Sequence, residues 1–191
     1  MNDITSDTAI FIVRDYYVGK NETENIALAS FYCGRVLQEQ GKPKAAMTEY
    51  LKADEYAERT KNTNLRGLSQ SLIGETLLKE LLHTDAIMYF KTAAHYFHEA
   101  HNMKNEIISY SLIGDAYLMN SFSDSAFYYF NKGLELAEAT NDSGQIANLI
   151  HNIGVAYRES DRYDLADKYF RNAAEYAPDS DDRIKLFLNL Y

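Results

Sequence analysis

Four glycines, Gly34, Gly74, Gly114 and Gly154, stand 40 residues apart. Glycine is only 9 of the 191 residues, so three further matches at one offset have odds of about one in ten thousand by chance. Other columns keep the same period. Cys33, Ile73, Ile113 and Ile153 precede the glycines, and Leu37, Leu77, Tyr117 and Tyr157 follow three residues later. Further on come small residues at Ala46, Ala86, Ala126 and Ala166, then aromatics at Tyr50, Phe90, Phe130 and Phe170. A last small column holds Ala53, Ala93, Gly133 and Ala173. Within a repeat these positions fall at helical spacing: Ile113, Ala116 and Tyr117 form one stripe, Ala126, Phe130 and Gly133 another. Polar breaks such as Ser121-Phe122-Ser123-Asp124 and Asn141-Asp142-Ser143 separate the stripes. Each repeat therefore reads as a helix, a tight turn and a second helix. The small residues predict a close helix approach near the shared turn, with the aromatic filling the wedge that opens beyond it.

Composition supports a folded helical chain. Hydrophobic residues are 46% and charged residues 25%, with just 2 prolines, which excludes collagen-like and low-complexity classes. A net charge of -9 opposes general nucleic-acid binding, because a phosphate-binding surface carries the opposite sign. Cys33 stands alone, so no disulfide forms within the chain. The longest apolar run, Ile10-Phe11-Ile12-Val13, is far short of the roughly 20 residues of a membrane span. Asn2-Asp3 is neither basic nor apolar, so no secretory signal is read here.

The columns Ile153-Gly154, Tyr157, Tyr163, Ala166, Phe170, Ala173 and Pro178 resemble the tetratricopeptide repeat. The family's basic unit is about 34 residues, so the 40-residue spacing resembles its long-helix members, common in bacterial signalling proteins. The resemblance implies an all-α, right-handed α-solenoid. Four repeats are expected at 24–62, 63–102, 103–142 and 143–180, in one domain. Repeat register places a lone second helix at 3–20, against the local β-propensity of Ile10 to Val13. Ile184, Phe187, Leu188 and Tyr191 keep helical spacing, so a further first helix is expected over 182–191. Neither end carries the polar cap usual for terminal repeats, so the chain reads as part of a longer array.

In such a solenoid the first helices line the inside. The expected concave wall holds Leu28, Phe31, Arg35 and Gln38 in the first repeat, and Leu68, Ser71, Glu75 and Leu78 in the second. The third contributes Ile108, Ser111, Asp115 and Leu118; the fourth contributes Asn148, His151, Asn152, Val155 and Arg158. Apolar residues grouped with a few hydrogen-bonders suit a protein or peptide partner. With an acidic chain, that partner is a basic or amphipathic helical segment. Phe31, Ser71 and Ser111 stand where the family's carboxylate-clamping groove would want basic side chains. Asn148 and Asn152, one helical turn apart, resemble the asparagines with which bacterial long-repeat receptors hold a peptide backbone.

Other candidates carry less chemistry. His95, His98 and His101 lie three apart; neighbouring pairs could share a metal, but each step turns the helix face by about 60°. Cys33 shares a column with three isoleucines and reads as a buried hydrophobe. No G-x-S-x-G, P-loop or H-E-x-x-H occurs. The expectation is a non-catalytic interaction module without cofactor or metal, the sensing or scaffolding region of a larger bacterial regulator. A free-standing adaptor is the alternative, and a metal protein or enzyme using His95 and His98 a distant third. Homo-oligomers fit either of the first two. A cytoplasmic location is favoured, with the extracytoplasmic part of a membrane-anchored regulator as the other setting.

Overall fold

The computed structural model describes residues 6–176, so the expected helix over 182–191 and Pro178 lie outside the described residues. Among these, helices α1 (Ser6–Lys20), α2 (Thr23–Glu39), α3 (Pro43–Arg59), α4 (Thr63–Lys79), α5 (His83–Glu99), α6 (Met103–Met119), α7 (Ser123–Ala139), α8 (Ser143–Glu159) and α9 (Tyr163–Tyr176) follow one another, with no strand. The fold is an all-α solenoid. The segment Ile10–Val13 lies inside α1, following the repeat register rather than the preference of β-branched residues for strands. No helix is long and apolar enough to cross a membrane among the described residues.

The structure adds a regularity finer than the sequence repeat. Helices α2 to α8 are each 17 residues long. Left-handed backbone recurs every 20 residues, at Asn21, Gly41, Lys61, Leu81, His101, Ser121, Asn141 and Asp161. Each of these residues ends a helix in the Schellman manner. The amide of the next residue bonds back across the turn, as in Lys42 N to Leu37 O (2.9 Å), Leu82 N to Leu77 O (2.9 Å) and Arg162 N to Tyr157 O (2.9 Å). Glycine fills this position once; Leu81 holds φ 62° there, a conformation that costs a non-glycine residue roughly 1 kcal/mol.

The first helices α4, α6 and α8 start on side-chain caps. Asn62 accepts from Leu65 N, Asn102 from Asn105 N and Asp142 from Gln145 N, each satisfying one orphan amide. Pro43 occupies the first turn of α3, where its missing N–H costs nothing.

The seam between the two helices of a repeat is built on the glycine column. A Cβ on Gly74 would lie 2.6 Å from Phe90 Cε1, and one on Gly154 2.8 Å from Phe170 Cε1. Tyr50, Phe90 and Phe130 are fully buried, as are Ala46, Ala86 and Ala126. The aromatic ring therefore rests on the glycine itself. This corrects the sequence expectation that it fills a wedge away from the close approach. Burying each ring contributes about 2–3 kcal/mol, which offsets the roughly 1 kcal/mol a mid-helix glycine costs.

Elements nearly one repeat apart in sequence are tied by polar bonds. Asn102 Nδ2 donates to Asn64 Oδ1 (2.7 Å), Asn120 Nδ2 to Thr84 Oγ1 (3.3 Å) and Ser160 Oγ to Ser123 Oγ (3.4 Å).

Candidate functional site

The first helices α2, α4 and α6 open onto one cavity of about 520 Å³. Of the residues expected on the concave wall, Phe31, Arg35 and Gln38 line it from α2, Leu68, Ser71 and Glu75 from α4, and Ile108 from α6. The structure adds Glu39, Leu72, Lys79, Asn105 and Phe97. Two of these were legible in outline. Glu39 and Lys79 stand one helical turn beyond Arg35 and Glu75 and so share their face. Phe97 was hidden, because it comes from second helix α5 and reaches the inner side across Gly67, where a Cβ would lie 2.8 Å from its ring.

The remaining expected residues divide. Ser111 and Asp115 of α6 face Asn152 of α8, whose Nδ2 donates to Ser111 Oγ (3.0 Å) and to Asp115 Oδ1 (3.3 Å). The Asn152 amide thus bridges two first helices. That spends on the scaffold the hydrogen bonds assigned to a peptide backbone in the sequence reading. Asn148 is exposed, while Val155 and Arg158 are half-buried. Leu28 is exposed near the start of α2. Leu78 and Leu118 pack partly against the two core clusters. His151 is buried with its ring 5.0 Å from that of Phe170, so it belongs to the seam of the last repeat. Phe31 is 7% exposed with its ring 6.0 Å from that of Tyr50. It touches the cavity but is mainly core.

The wall is electrostatically specific. Burial raises the Glu75 carboxyl above its ordinary range, opposed by Lys79 and Arg35. Burial alone pushes Asp115 up to about 7. Arg35 pairs loosely with Glu39, at 4.0 Å. Glu75 thus stands as a desolvated acid in the cavity beside Leu68, Leu72 and Ile108, while Asp115 lies on the same helix face outside its lining. A cation arriving at either acid would restore solvation the fold has removed.

The histidines diverge. His95 Nε2 meets Glu99 Oε1 at 3.4 Å, while His98 Nδ1 meets Glu106 Oε1 at 3.2 Å. His101 occupies a left-handed turn position. Among the described residues no group of three or more His, Cys, Asp or Glu side chains is placed to hold a metal ion. Cys33 is fully buried, and burial pushes its thiol up to about 11, which keeps it protonated and unreactive at neutral pH.

Comparison with known proteins fits this geometry. Residues 147–180 match the family model of a tetratricopeptide repeat. Among solved structures, BtubC (BKLC) from P. vanneervenii superposes with a TM-score of 0.79 at 15% identity, over 96% of this chain and 80% of that one. The apo form of RapI gives a TM-score of 0.74 at 16% identity, over 93% of this chain and 72% of that one. The Rap conjugation gene regulator of plasmid pLS20, solved in complex with the Phr* peptide, gives 0.66 at 19% identity, over 82% of this chain and 44% of that one. A search of curated proteins found no significant match. The family match thus falls on the last repeat, and the described residues share the helical-repeat fold of these structures.

Proposed function

We propose that this tetratricopeptide-like solenoid is a non-catalytic protein- or peptide-binding module whose inner wall is the recognition surface. One observation carries the reading: three successive first helices open onto a single cavity of about 520 Å³ lined by both apolar and charged side chains. That volume lies in the range of ligand-accepting clefts. Within the cavity Glu75 supplies a desolvated acid, and Leu68, Leu72 and Ile108 supply apolar surface; Asp115 adds a second acid further along the same face. The matching ligand is an amphipathic basic segment, its cations over the two acids and its apolar face on the leucines. The pLS20 regulator, a distant neighbour, was solved with a peptide, and that supports a peptide as ligand. The module serves as the sensing or scaffolding region of a larger bacterial regulator, in a cytoplasmic setting.

The test is fluorescence anisotropy of the intact chain with a labelled lysine–leucine amphipathic peptide. Glu75→Gln combined with Asp115→Asn should weaken binding by roughly tenfold or more, since charge-assisted contacts contribute about 1.5–3 kcal/mol each. Leu68→Ser should weaken it separately by loss of apolar contact. Truncating Phe31 is avoided, because its burial makes that a stability variant. Equal affinity in wild type and in the acid-neutralised variant would refute the inner wall as the site.

A further inference from the structure

A second cleft, of about 510 Å³, lies between second helices α5 and α7, with α6 as its floor. It is separate from the inner wall. On α6 it takes Tyr110 and Ile113, which at about 100° per residue lie on the side opposite Ile108, Ser111 and Asp115.

Its charge runs against that of the molecule. The chain carries a net charge of -9, yet Lys91 enters the cleft from α5 and Lys132 from α7. Both are held in place by aromatic rings. Lys91 Nζ donates to Tyr117 Oη (2.8 Å) and lies 5.4 Å from the Tyr129 ring centre. Lys132 Nζ lies 4.5 Å from the Tyr110 ring centre. The groups acting on these two ammonium ions are tyrosines, and among the described residues neither forms an ion pair with a carboxylate. Glu106, the acid in the cleft, is already engaged. It accepts from Tyr110 Oη (2.9 Å) and meets His98 Nδ1 (3.2 Å). Two positive charges are therefore held on opposite walls with no direct carboxylate partner, above a floor of tyrosine and isoleucine. Ammonium groups already seated on rings lose less side-chain freedom on binding than free surface lysines do.

We infer that this outer cleft docks an acidic peptide segment of a partner protein, with carboxylates on Lys91 and Lys132 and an apolar side chain on the Tyr110–Ile113 floor. Entry of the lysines from separate helices, with an apolar floor below them, suits an extended chain bearing several acids better than a single small oxyanion. The apolar floor gives such a chain a second anchor.

The experiment is anisotropy of the intact chain with a short fluorescein-labelled peptide of glutamates interrupted by leucine, at low and at physiological salt. The Lys91→Gln/Lys132→Gln variant should bind at least about tenfold more weakly, two charge-assisted contacts being lost. The Lys104→Gln/Lys168→Gln variant changes net charge equally at exposed positions outside the cleft and should bind as wild type does. Equal weakening by both pairs would mean diffuse attraction and would overturn the site. So would no binding at millimolar peptide, or displacement of the peptide by millimolar inorganic phosphate. Should the glutamine pair lose its helical circular dichroism, Lys91→Arg/Lys132→Arg, which keeps both charges, must retain affinity. Binding of the lysine–leucine peptide to the inner wall should be untouched by the Lys91/Lys132 pair, so failure at one face is distinguishable from failure at the other.

Discussion

In the repeats built from α2 to α7 the two helices share a length but not a job. The first helices α4, α6 and α8 begin on side-chain caps, and the second helices α5 and α7 begin at Leu82 and Phe122 with none. First helices carry the glycines; second helices carry the rings that press on them. The difference follows from position. A first helix is packed by its own second helix, by the second helix before it and by neighbouring first helices, as α6 is by α5, α7 and α8. It must be thin on one side, and it has only its inner face left to offer a ligand. A second helix has more free surface, so it tolerates a weak start and can leave a cleft beside its neighbour.

The seam depends most on the ring that the second helix supplies. Phe130→Ala removes a fully buried ring and should cost about 3–5 kcal/mol in denaturant unfolding. Ala126→Leu, at a fully buried position in the same helix, should cost about 1–3 kcal/mol by overpacking. A stability unchanged by Ala126→Leu would mean that the two helices are not locked together there.

Next comes the inner wall, through pH. Burial pushes Asp115 up to about 7, whereas an unfolded aspartate titrates near 3.9. Between those values the folded chain holds a proton that the unfolded chain has released. Asp115 therefore favours the fold most in acid, and its contribution is lost as pH rises toward 7. Asp115→Asn should be close to neutral at pH 4 and stabilising by roughly 1–3 kcal/mol at pH 8, read from urea midpoints at the two pH values. A gain that is the same at both would remove the desolvated acid from the account.

The smallest effects exchange the helix starts. Asn102→Ala removes a cap and the bond to Asn64 and should cost about 1 kcal/mol in thermal unfolding. Leu82→Asn supplies a cap where α5 has none and should add up to about 1 kcal/mol. A null result at both would mean that helix starts are set by packing alone.

Much of this contrast was legible in the sequence, because the seam needs small and large residues at fixed places. The glycine, alanine and aromatic columns reported it, and the same register placed a helix over Ile10 to Val13 against local preference. The turns were less legible. Their left-handed position is held by Asn, Gly, Lys, Leu, His, Ser or Asp, because the Schellman bonds and the packing on either side impose the conformation on whatever residue is there. The inner wall was legible as a face but not residue by residue. Phe31 and His151 share the face geometry of Ser71 and Ser111, yet their bulk carries them into the core. Asn152 reads as a ligand-holding amide, yet a neighbouring helix claims it. The outer cleft was invisible, since Lys91 and Lys132 do not share a repeat column, and nothing in spacing alone brings them to one gap.

The most direct test of the central claim, that the inner wall is the recognition face, is an amide-resolved NMR titration of the intact chain with the lysine–leucine peptide. Shifts should concentrate on Leu68, Ser71, Glu75, Ile108, Ser111 and Asp115, with Lys91 and Lys132 unmoved. Shifts that instead gather along α5 and α7, or that spread evenly over every acidic surface, would contradict it.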